Sequence, residues 1–237
     1  MTAGSRQERV TAHDGGEFDA HTVLPDAGSG PGLLVLQEIF GVGNYIRAAA
    51  DRAANLGYVA MAPDLFWRLE PGIELDPDEA GLAKGLELRQ SLDVEVAVRD
   101  CDAALAHLRS LPEVTGRAGV LGFCMGGMLA YFTAVESEPD ATVSYYGSGV
   151  PDAIDAVGRI ECPTLFHFGG DDAYITPDKV ARVEEAIAGR DDMELHVQPG
   201  AGHAFDNHDA PMFYNARAAE NAWRITTAFL QRWLAPR

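Results

Sequence analysis

Short apolar runs alternate with amphipathic stretches along most of the chain. Six runs each predict a strand: LLVLQ at 33–37, YVAMAP at 58–63, AGVLGF at 118–123, TVSYYG at 142–147, PTLFHFG at 163–169 and MELHVQ at 193–198. The first run is apolar without alternation, which is typical of a strand buried on both faces. Helical periodicity occupies the stretches between and after the runs, at 44–56, about 91–110, 125–136, about 178–188 and 215–234. This alternation predicts a mostly parallel sheet covered by helices on both faces.

The N-terminal segment has a different periodicity. Apolar positions alternate on either side of a Gly-Gly turn, at Val10, Ala12, Phe18, Ala20 and Thr22. A period of two around such a turn predicts an antiparallel hairpin. A segment rich in Pro, Gly and Asp at 70–81 predicts a loop before the long helix. The length and the absence of an internal repeat predict one α/β domain over residues 1–237.

Composition narrows the functional classes. The net charge of -18 argues against binding nucleic acid or an anionic membrane, because both require a basic surface. No apolar stretch has the length of a signal peptide or a membrane span. Cys101, Cys124 and Cys162 follow neither a disulfide framework nor a metal-ligand spacing. We therefore expect a soluble cytoplasmic protein with reduced thiols and no bound metal.

The hexapeptide GFCMGG at 122–127 lies where a predicted strand runs directly into a predicted helix. Its G-x-C-x-G spacing has the form of a nucleophile elbow, with Cys124 in place of the usual serine. Glycines relieve crowding in such a sharp turn, and the start of a helix stabilises a thiolate. The alternative is a structural thiol, since most lone cysteines pack as small hydrophobic residues.

A nucleophile of this kind needs an acid and then a histidine on later loops. Asp171 and Asp172 follow the fifth apolar run, and His203 follows the sixth. The histidine would take the thiol proton, and an aspartate would fix its tautomer. Alternatively, the aspartates are turn residues and the histidine is an ordinary loop residue. A metal site formed by His203, Asp206 and His208 matches no strong ligand spacing.

A further acidic position, Glu38, lies at the end of the first buried strand, in QEIFG at 37–41. Burying a carboxylate there costs free energy unless it is ion-paired or has a catalytic role. The alternative is a carboxylate at the strand end that is exposed to solvent. In α/β hydrolases this loop supplies one N–H group of the oxyanion hole, and the residue after the nucleophile supplies the other. These positions assign the oxyanion hole to the backbone N–H groups of Ile39 and Met125.

Together these motifs resemble those of the dienelactone hydrolases (carboxymethylenebutenolidases), a cysteine-using branch of the α/β hydrolases. The matching stretches follow the family's order: QEIFG at 37–41, APDLF at 62–66, GFCMGG at 122–127, YYG at 145–147, FHFGGDD at 166–172 and AGHAF at 201–205. The resemblance implies an α/β-hydrolase fold with Cys124 as nucleophile and His203 as base. It selects Asp172 over Asp171 as the acid. It also implies that Glu38 activates a largely protonated thiol when substrate enters.

The sequence departs from the family at the residues that bind the carboxylate of dienelactone. The family uses two arginines, one of them four residues beyond the catalytic histidine, where this chain has Asn207. The other lies in the segment 79–86, which here has no arginine and contains only Lys84 as a cation. Arg68 or Arg89 could substitute from elsewhere in the chain. Loss of this clamp should weaken binding of anionic substrates.

We predict a hydrolase that cleaves a lactone or small carboxylic ester of the dienelactone type through a cysteine acyl-enzyme, as in aromatic degradation. Contacts with the substrate are expected from Phe40, Tyr146 and Asn207. No pattern calls for a cofactor, and the expected partner is a small molecule bound by a monomer or small homo-oligomer. The alternatives are an esterase or thioesterase with another acyl substrate, or a hydrolase fold retained as a non-catalytic binding protein.

Overall fold

The computed structural model describes residues 4–235, which form eight strands and six α-helices. The strands are β1 (Gly4–Thr11), β2 (Glu17–Leu24), β3 (Gly30–Leu36), β4 (Val59–Pro63), β5 (Val114–Phe123), β6 (Thr142–Tyr145), β7 (Thr164–Gly169) and β8 (Met193–Gln198). The helices are α1 (Asn44–Asn55), α2 (Glu79–Ser91), α3 (Val94–Ser110), α4 (Met125–Glu136), α5 (Pro177–Ala186) and α6 (Ala216–Leu234), with a 3₁₀ helix at Pro151–Arg159. None of the helices in this described range is long and apolar enough to cross a membrane.

All eight strands belong to one sheet, in the order β1–β2–β4–β3–β5–β6–β7–β8. β1 and β2 form an antiparallel hairpin with Val10 opposite Phe18, and β2 also runs antiparallel to β4. The remaining neighbouring strands pair in parallel. The predicted α/β fold, a mostly parallel sheet with an N-terminal antiparallel hairpin, is therefore confirmed.

Helices cover both faces of the sheet, and β3 illustrates how the sequence specifies this. Leu33 and Val35 lie in a core cluster that includes residues of α1 and α6. Leu34 and Leu36, which face the other way, lie in a second cluster with residues of α3 and α4. Every residue of β3 is buried. A strand covered on both sides reads as a continuous apolar run because neither face meets water.

The helix predicted at about 91–110 begins later than expected, and an unpredicted helix precedes it. α3 begins after Asp93, whose Oδ1 accepts a hydrogen bond from the Val96 N–H at 3.1 Å. α2 begins after Asp78, which caps it in the same way, and this helix occupies part of the predicted loop. Two glycines inside α2 lower its helix propensity, and for this reason the sequence pattern did not predict the helix.

Candidate active site

Four loops meet at the carboxyl edge of the parallel strands. Glu38 follows β3, Cys124 follows β5, Asp172 follows β7 and His203 follows β8. A cavity of about 320 Å³ opens at this edge, and its lining includes Glu38, Cys124 and His203. Ligand sites of open α/β sheets form at this edge because the loops that leave the strands converge there. The fold therefore brings the four predicted side chains to one site.

Cys124 occupies a strained turn between β5 and α4. Its backbone torsions, φ 51° and ψ -111°, are ones that residues with side chains rarely adopt. A Cβ atom at Gly122 would lie 2.0 Å from the Gly126 carbonyl oxygen, and one at Gly126 would lie 2.3 Å from the Leu36 oxygen. Neither position admits a side chain, so the turn itself requires the two glycines. The thiol is thereby held at the start of a helix and at the cavity wall.

The imidazole of His203 lies between the thiol and a carboxylate. Its Nε2 is 3.1 Å from Cys124 Sγ, and its Nδ1 is 2.7 Å from Asp172 Oδ2. A carboxylate accepts but does not donate, so Nδ1 carries a proton and Nε2 faces the sulfur. Burial alone would lower the pKa of His203, but the nearby Cys124 and Asp172 charges raise that pKa well above its usual value. The arrangement favours transfer of the thiol proton to the imidazole.

Asp172, rather than its neighbour Asp171, reaches the histidine. Its side chain is buried, and its second oxygen, Oδ1, accepts hydrogen bonds from the N–H groups of Tyr174 (2.8 Å) and Ile175 (3.0 Å). Burial opposes ionisation, but these hydrogen bonds and His203 hold the pKa of Asp172 below its usual value. Asp171 is exposed. The geometry thus favours the aspartate that the family resemblance selected.

A hydroxyl group that the sequence analysis did not identify also lies beside the thiol. Ser148 Oγ is 3.5 Å from His203 Nε2 and 3.9 Å from Cys124 Sγ, and the residue lines the cavity. Ser148 follows β6, which lies in the sequence between the elbow and the strand that precedes Asp172. No catalytic residue was predicted in the loop after β6. The SG pair after YYG at 145–147 was the available signal. A second potential nucleophile therefore stands within reach of the same base.

Glu38 is buried, with 2% of its surface exposed, and its nearest donor is neutral. Asn207 Nδ2 donates to Oε2 at 2.6 Å, whereas Oε1 has no hydrogen-bond partner among the described residues. Burial is the largest influence and raises the pKa of Glu38 to about 7, against the opposing effects of Asn207 and His203. A carboxyl group in this setting changes its charge near neutral pH.

The two predicted oxyanion-hole residues, Ile39 and Met125, both line the cavity beside Cys124. Within residues 4–235, neither backbone N–H group has a hydrogen-bond acceptor. Met125 begins α4, where the first N–H groups of a helix are unpaired. Two free donors beside a nucleophile are what a developing oxyanion requires.

The cavity wall is mainly apolar and carries two cationic side chains. The apolar contribution comes from Ile39, Phe40, Leu82, Leu86, Tyr174 and Phe213. Arg89 of α2 lines the cavity and has no carboxylate within salt-bridge distance in the described chain, whereas Lys179 pairs with Asp152 at 3.4 Å. The other arginine considered, Arg68, binds two aspartates elsewhere.

The three expected substrate contacts have different surroundings. Phe40 lines the cavity, but Tyr146 and Asn207 are buried and are not part of its lining. Tyr146 packs its ring against His203, with centroids 5.3 Å apart, and its hydroxyl is 3.3 Å from that of Tyr45. Asn207 instead binds Glu38. Tyr146 and Asn207 thus lie outside the lining of this cavity, and their contact with substrate stays a prediction.

The loop after β8 does not assemble a metal site. In the part of the chain that the structure covers, no three His, Cys, Asp or Glu side chains are grouped to hold an ion. Asp206 instead accepts hydrogen bonds from Tyr45 and Arg52. His208 packs its ring against the same tyrosine, with centroids 5.6 Å apart.

Comparison with known proteins gives a consistent family assignment. The model of the dienelactone hydrolase family matches residues 18–234. Carboxymethylenebutenolidase 1 of Cupriavidus pinatubonensis is 36% identical over 210 residues, which are 87% of this chain and 88% of that protein. The carboxymethylenebutenolidase of Pseudomonas sp. (strain P51) is 35% identical over 224 residues, covering 94% and 93% of the two chains.

A similar structure has also been solved. The putative dienelactone hydrolase from Klebsiella pneumoniae superposes with a TM-score of 0.85 at 27% identity, over 97% of this chain and 99% of that one. The family model therefore spans strands β2 to β8, the loops that carry the site and helix α6.

Proposed function

The chain belongs to the dienelactone hydrolase family and is a carboxylic ester hydrolase, and from this premise we propose that it opens small lactones of the dienelactone type through a cysteine acyl-enzyme. The observation that best supports the cysteine route is the 3.1 Å separation of His203 Nε2 from Cys124 Sγ. Asp172 completes the set from the far side of the imidazole.

Acylation begins when the thiol proton moves to His203 Nε2. The thiolate of Cys124 attacks the carbonyl carbon, a C–S bond forms, and the carbonyl electron pair moves onto oxygen. The N–H groups of Ile39 and Met125 hold this oxyanion. As the tetrahedral intermediate collapses, the C–O bond to the leaving alkoxide breaks, and the imidazolium returns its proton to that oxygen.

Deacylation uses the same groups in the reverse direction. His203 takes a proton from water, and the hydroxide attacks the thioester carbon. The C–S bond breaks, a carboxylic acid leaves, and the proton returns to the sulfur. For a lactone both product functions remain on one molecule, so the ring opens to a hydroxy acid. Asp172 stays ionised throughout and stabilises the imidazolium.

Glu38 primes the nucleophile through its charge. His203 lowers the pKa of Glu38, so by linkage an ionised Glu38 favours protonated imidazole and therefore the thiolate. Because the pKa of Glu38 is about 7, this support is absent at acid pH and present at alkaline pH. Entry of substrate, which excludes water from the cavity, strengthens the same interaction.

We expect kcat/KM of the wild type to rise as pH increases through about 7, since Glu38 ionises there. Glu38→Gln should remove that rise and lower kcat/KM at pH 8 by about tenfold or more. The pH dependence of p-nitrophenyl acetate hydrolysis, followed at an isosbestic wavelength, measures both. Glu87→Gln on the exposed face of α2 is the matched control. An unchanged profile in Glu38→Gln would exclude the priming role.

Arg89 gives the cavity a preference for substrates that carry a carboxylate. This chain has no arginine at the two positions where the family carries one: Asn207, which binds Glu38, stands at one, and segment 79–86 has only Lys84 as a cation. Arg89, in contrast, lines the cavity and has no carboxylate of the described chain within salt-bridge distance. An arginine in an apolar pocket is a strong partner for a carboxylate because little water competes for it. Its side chain is also partly buried, so its reach is restricted.

Arg89→Met should lower kcat/KM for cis-dienelactone by about 10- to 100-fold, the loss of one charge-assisted contact. Hydrolysis of the neutral p-nitrophenyl acetate should change much less. The ratio of the two kcat/KM values is the measurement, and Lys179→Met, at a cavity cation already paired with Asp152, is the matched control. An equal loss on both substrates would mean that Arg89 does not select for charge.

The reaction itself is tested on the wild type with cis- and trans-dienelactone, a series of neutral p-nitrophenyl esters and an acyl thioester. The proposal predicts loss of dienelactone absorbance at a kcat/KM above that for the neutral esters. Turnover of neutral esters or thioesters alone would assign the protein to the esterase or thioesterase alternative.

A further inference from the structure

The hydroxyl group of Ser148 lies beside the two atoms between which the proton moves. Its Oγ is 3.5 Å from His203 Nε2 and 3.9 Å from Cys124 Sγ, and the residue lines the cavity. Among residues 4–235, these two atoms are the only hydrogen-bond partners of this hydroxyl. A serine in a turn commonly bonds to a backbone group a few residues away. Here the hydroxyl contacts the imidazole and the thiol instead, which points to a role in the reaction.

The turn after β6 holds the serine at this place. The Val150 N–H donates to the Gly147 carbonyl at 3.2 Å and closes the turn around Ser148. Gly149 has a φ of 102°, a conformation that favours glycine. A Cβ atom at Gly147 would lie 2.9 Å from the carbonyl carbon of Gly127, so the turn packs directly against the backbone of α4. The backbone on both sides of Ser148 is therefore fixed, whereas its side chain can still change rotamer.

The second half of the proposed reaction needs a polar group at this place. In acylation the thiol contacts Nε2 directly, at 3.1 Å, so no further group is needed to deliver its proton. In deacylation the proton comes from a water molecule, which has no covalent link to the enzyme. That water has to lie against Nε2 with its oxygen directed at the thioester carbon on Cys124. A second hydrogen-bond partner would restrict its orientation.

Counting donors and acceptors assigns the hydrogen bonds of this water. Nδ1 of His203 carries a proton directed to Asp172, so Nε2 of the neutral imidazole can only accept. One hydrogen of the water is therefore directed to Nε2. Ser148 Oγ can accept the second hydrogen, and the hydrogen of Ser148 itself remains for the sulfur of Cys124. Both hydrogens of the water are then fixed, and a lone pair of its oxygen is left for the acyl carbon.

The spacing of Ser148 and His203 suits such a water after a small adjustment. At 3.5 Å, Oγ and Nε2 are farther apart than in an ordinary hydrogen bond, so there is no strong bond between them to break. A water that donates to both atoms holds them about 4–4.5 Å apart. Rotation of the Ser148 side chain about its Cα–Cβ bond provides the difference.

We propose that Ser148 is a catalytic residue of deacylation, which holds the hydrolytic water against His203. The water gives one proton to Nε2, its oxygen forms a bond to the acyl carbon, and the carbonyl electron pair moves onto oxygen. When this pair returns, the C–S bond breaks and the Nε2 proton passes to the sulfur of Cys124. Ser148 loses no proton and forms no covalent bond. The inference rests on the proposed function, because it requires an acyl group on Cys124.

Competition between water and methanol for the acyl-enzyme provides the test. Methanol has a single hydroxyl hydrogen, which it donates to Nε2 of His203, so it has none left for Ser148. Loss of the serine hydroxyl should therefore slow attack by water more than attack by methanol. Acetyl-enzyme formed from p-nitrophenyl acetate in aqueous methanol gives acetate and methyl acetate. The ratio of these two products, measured by gas chromatography, reports the deacylation step whichever step limits turnover.

We expect Ser148→Ala to raise the ratio of methyl acetate to acetate by about threefold or more, because one neutral hydrogen bond to water is lost. For the same reason kcat for hydrolysis should fall by about three- to tenfold. The rate constant of the p-nitrophenol burst, which reports acylation, should change little. Ser110→Ala, which removes an exposed hydroxyl bonded to the His107 carbonyl, is the matched control and should change none of these quantities.

The inference is overturned if the product ratio of Ser148→Ala equals that of Ser110→Ala, or if the burst slows as much as kcat does. A hydroxyl that only supports the fold or the imidazole would slow both steps and leave the product ratio unchanged. If the wild type carries no acyl group on Cys124, the proposed function fails and this inference fails with it. An acylated Cys124 together with an unchanged product ratio refutes this inference alone.

Discussion

Cys124→Ala should lower kcat/KM for every accepted ester by about 10³-fold or more, because it removes the atom that forms the covalent intermediate. The side chain is small and only partly buried, so the fold should persist, as circular dichroism can verify. The measurement is steady-state hydrolysis of p-nitrophenyl acetate and of cis-dienelactone. Residual turnover would come from the oxyanion donors and the bound water.

Ser148→Ala is the matched control for this variant. Its hydroxyl is 3.5 Å from His203 Nε2, compared with 3.1 Å for the thiol, so it is the rival nucleophile in the same site. We expect Ser148→Ala to cost no more than about tenfold, the loss of one neutral hydrogen bond. Wild-type turnover in Cys124→Ala together with loss of turnover in Ser148→Ala would transfer the nucleophilic role to the serine.

Asp172→Asn should lower kcat by about 10²- to 10⁴-fold with little change in KM. The amide can donate to His203 Nδ1, which would then hold the imidazole in the tautomer that cannot accept the thiol proton. The same change also removes the negative charge that stabilises the imidazolium. Steady-state kinetics on a neutral ester separates kcat from KM.

Asp171→Asn is the natural comparison, since the residue is adjacent, identical in type and exposed. Its backbone N–H donates to the Ala201 carbonyl, but its side chain makes no hydrogen bond to His203 within the described structure. We expect nearly wild-type kinetics from this variant. Loss of activity in Asp171→Asn with retention in Asp172→Asn would contradict the assignment of the acid.

The elbow illustrates what a sequence can predict about this protein. Strand β5 and helix α4 adjoin with Cys124 alone between them, so spacing along the chain fixed both the turn and its position. The glycines were predictable for the same reason, because their steric role depends on backbone atoms close in sequence or in a neighbouring strand. A turn of this kind can therefore be recognised from the spacing of residues in the sequence.

Contacts between segments that are distant in the sequence cannot be recognised from a local pattern. Asn207 lies 169 positions from Glu38, and nothing in either local pattern indicates that its amide donates a hydrogen bond to that carboxyl group. From the sequence, Arg68 and Arg89 were equivalent candidates for a cation in the cavity. Of the two, Arg89 lines the cavity, because α2 packs beside the loop after β3. That helix was not predicted, since its glycines lower its helix propensity. The amide that binds Glu38 and the position of Arg89 in the cavity wall became apparent only when the loops were assembled.

The most direct test of the central claim is to trap the acyl-enzyme on the wild type. Saturating p-nitrophenyl acetate should release a burst of about one equivalent of p-nitrophenol. Protein quenched in acid during that burst should carry an acetyl group on the peptide that contains Cys124, located by mass spectrometry. The buried thiols of Cys101 and Cys162 should remain unmodified. An acetyl group on Ser148, or turnover with none on Cys124, would contradict the cysteine mechanism.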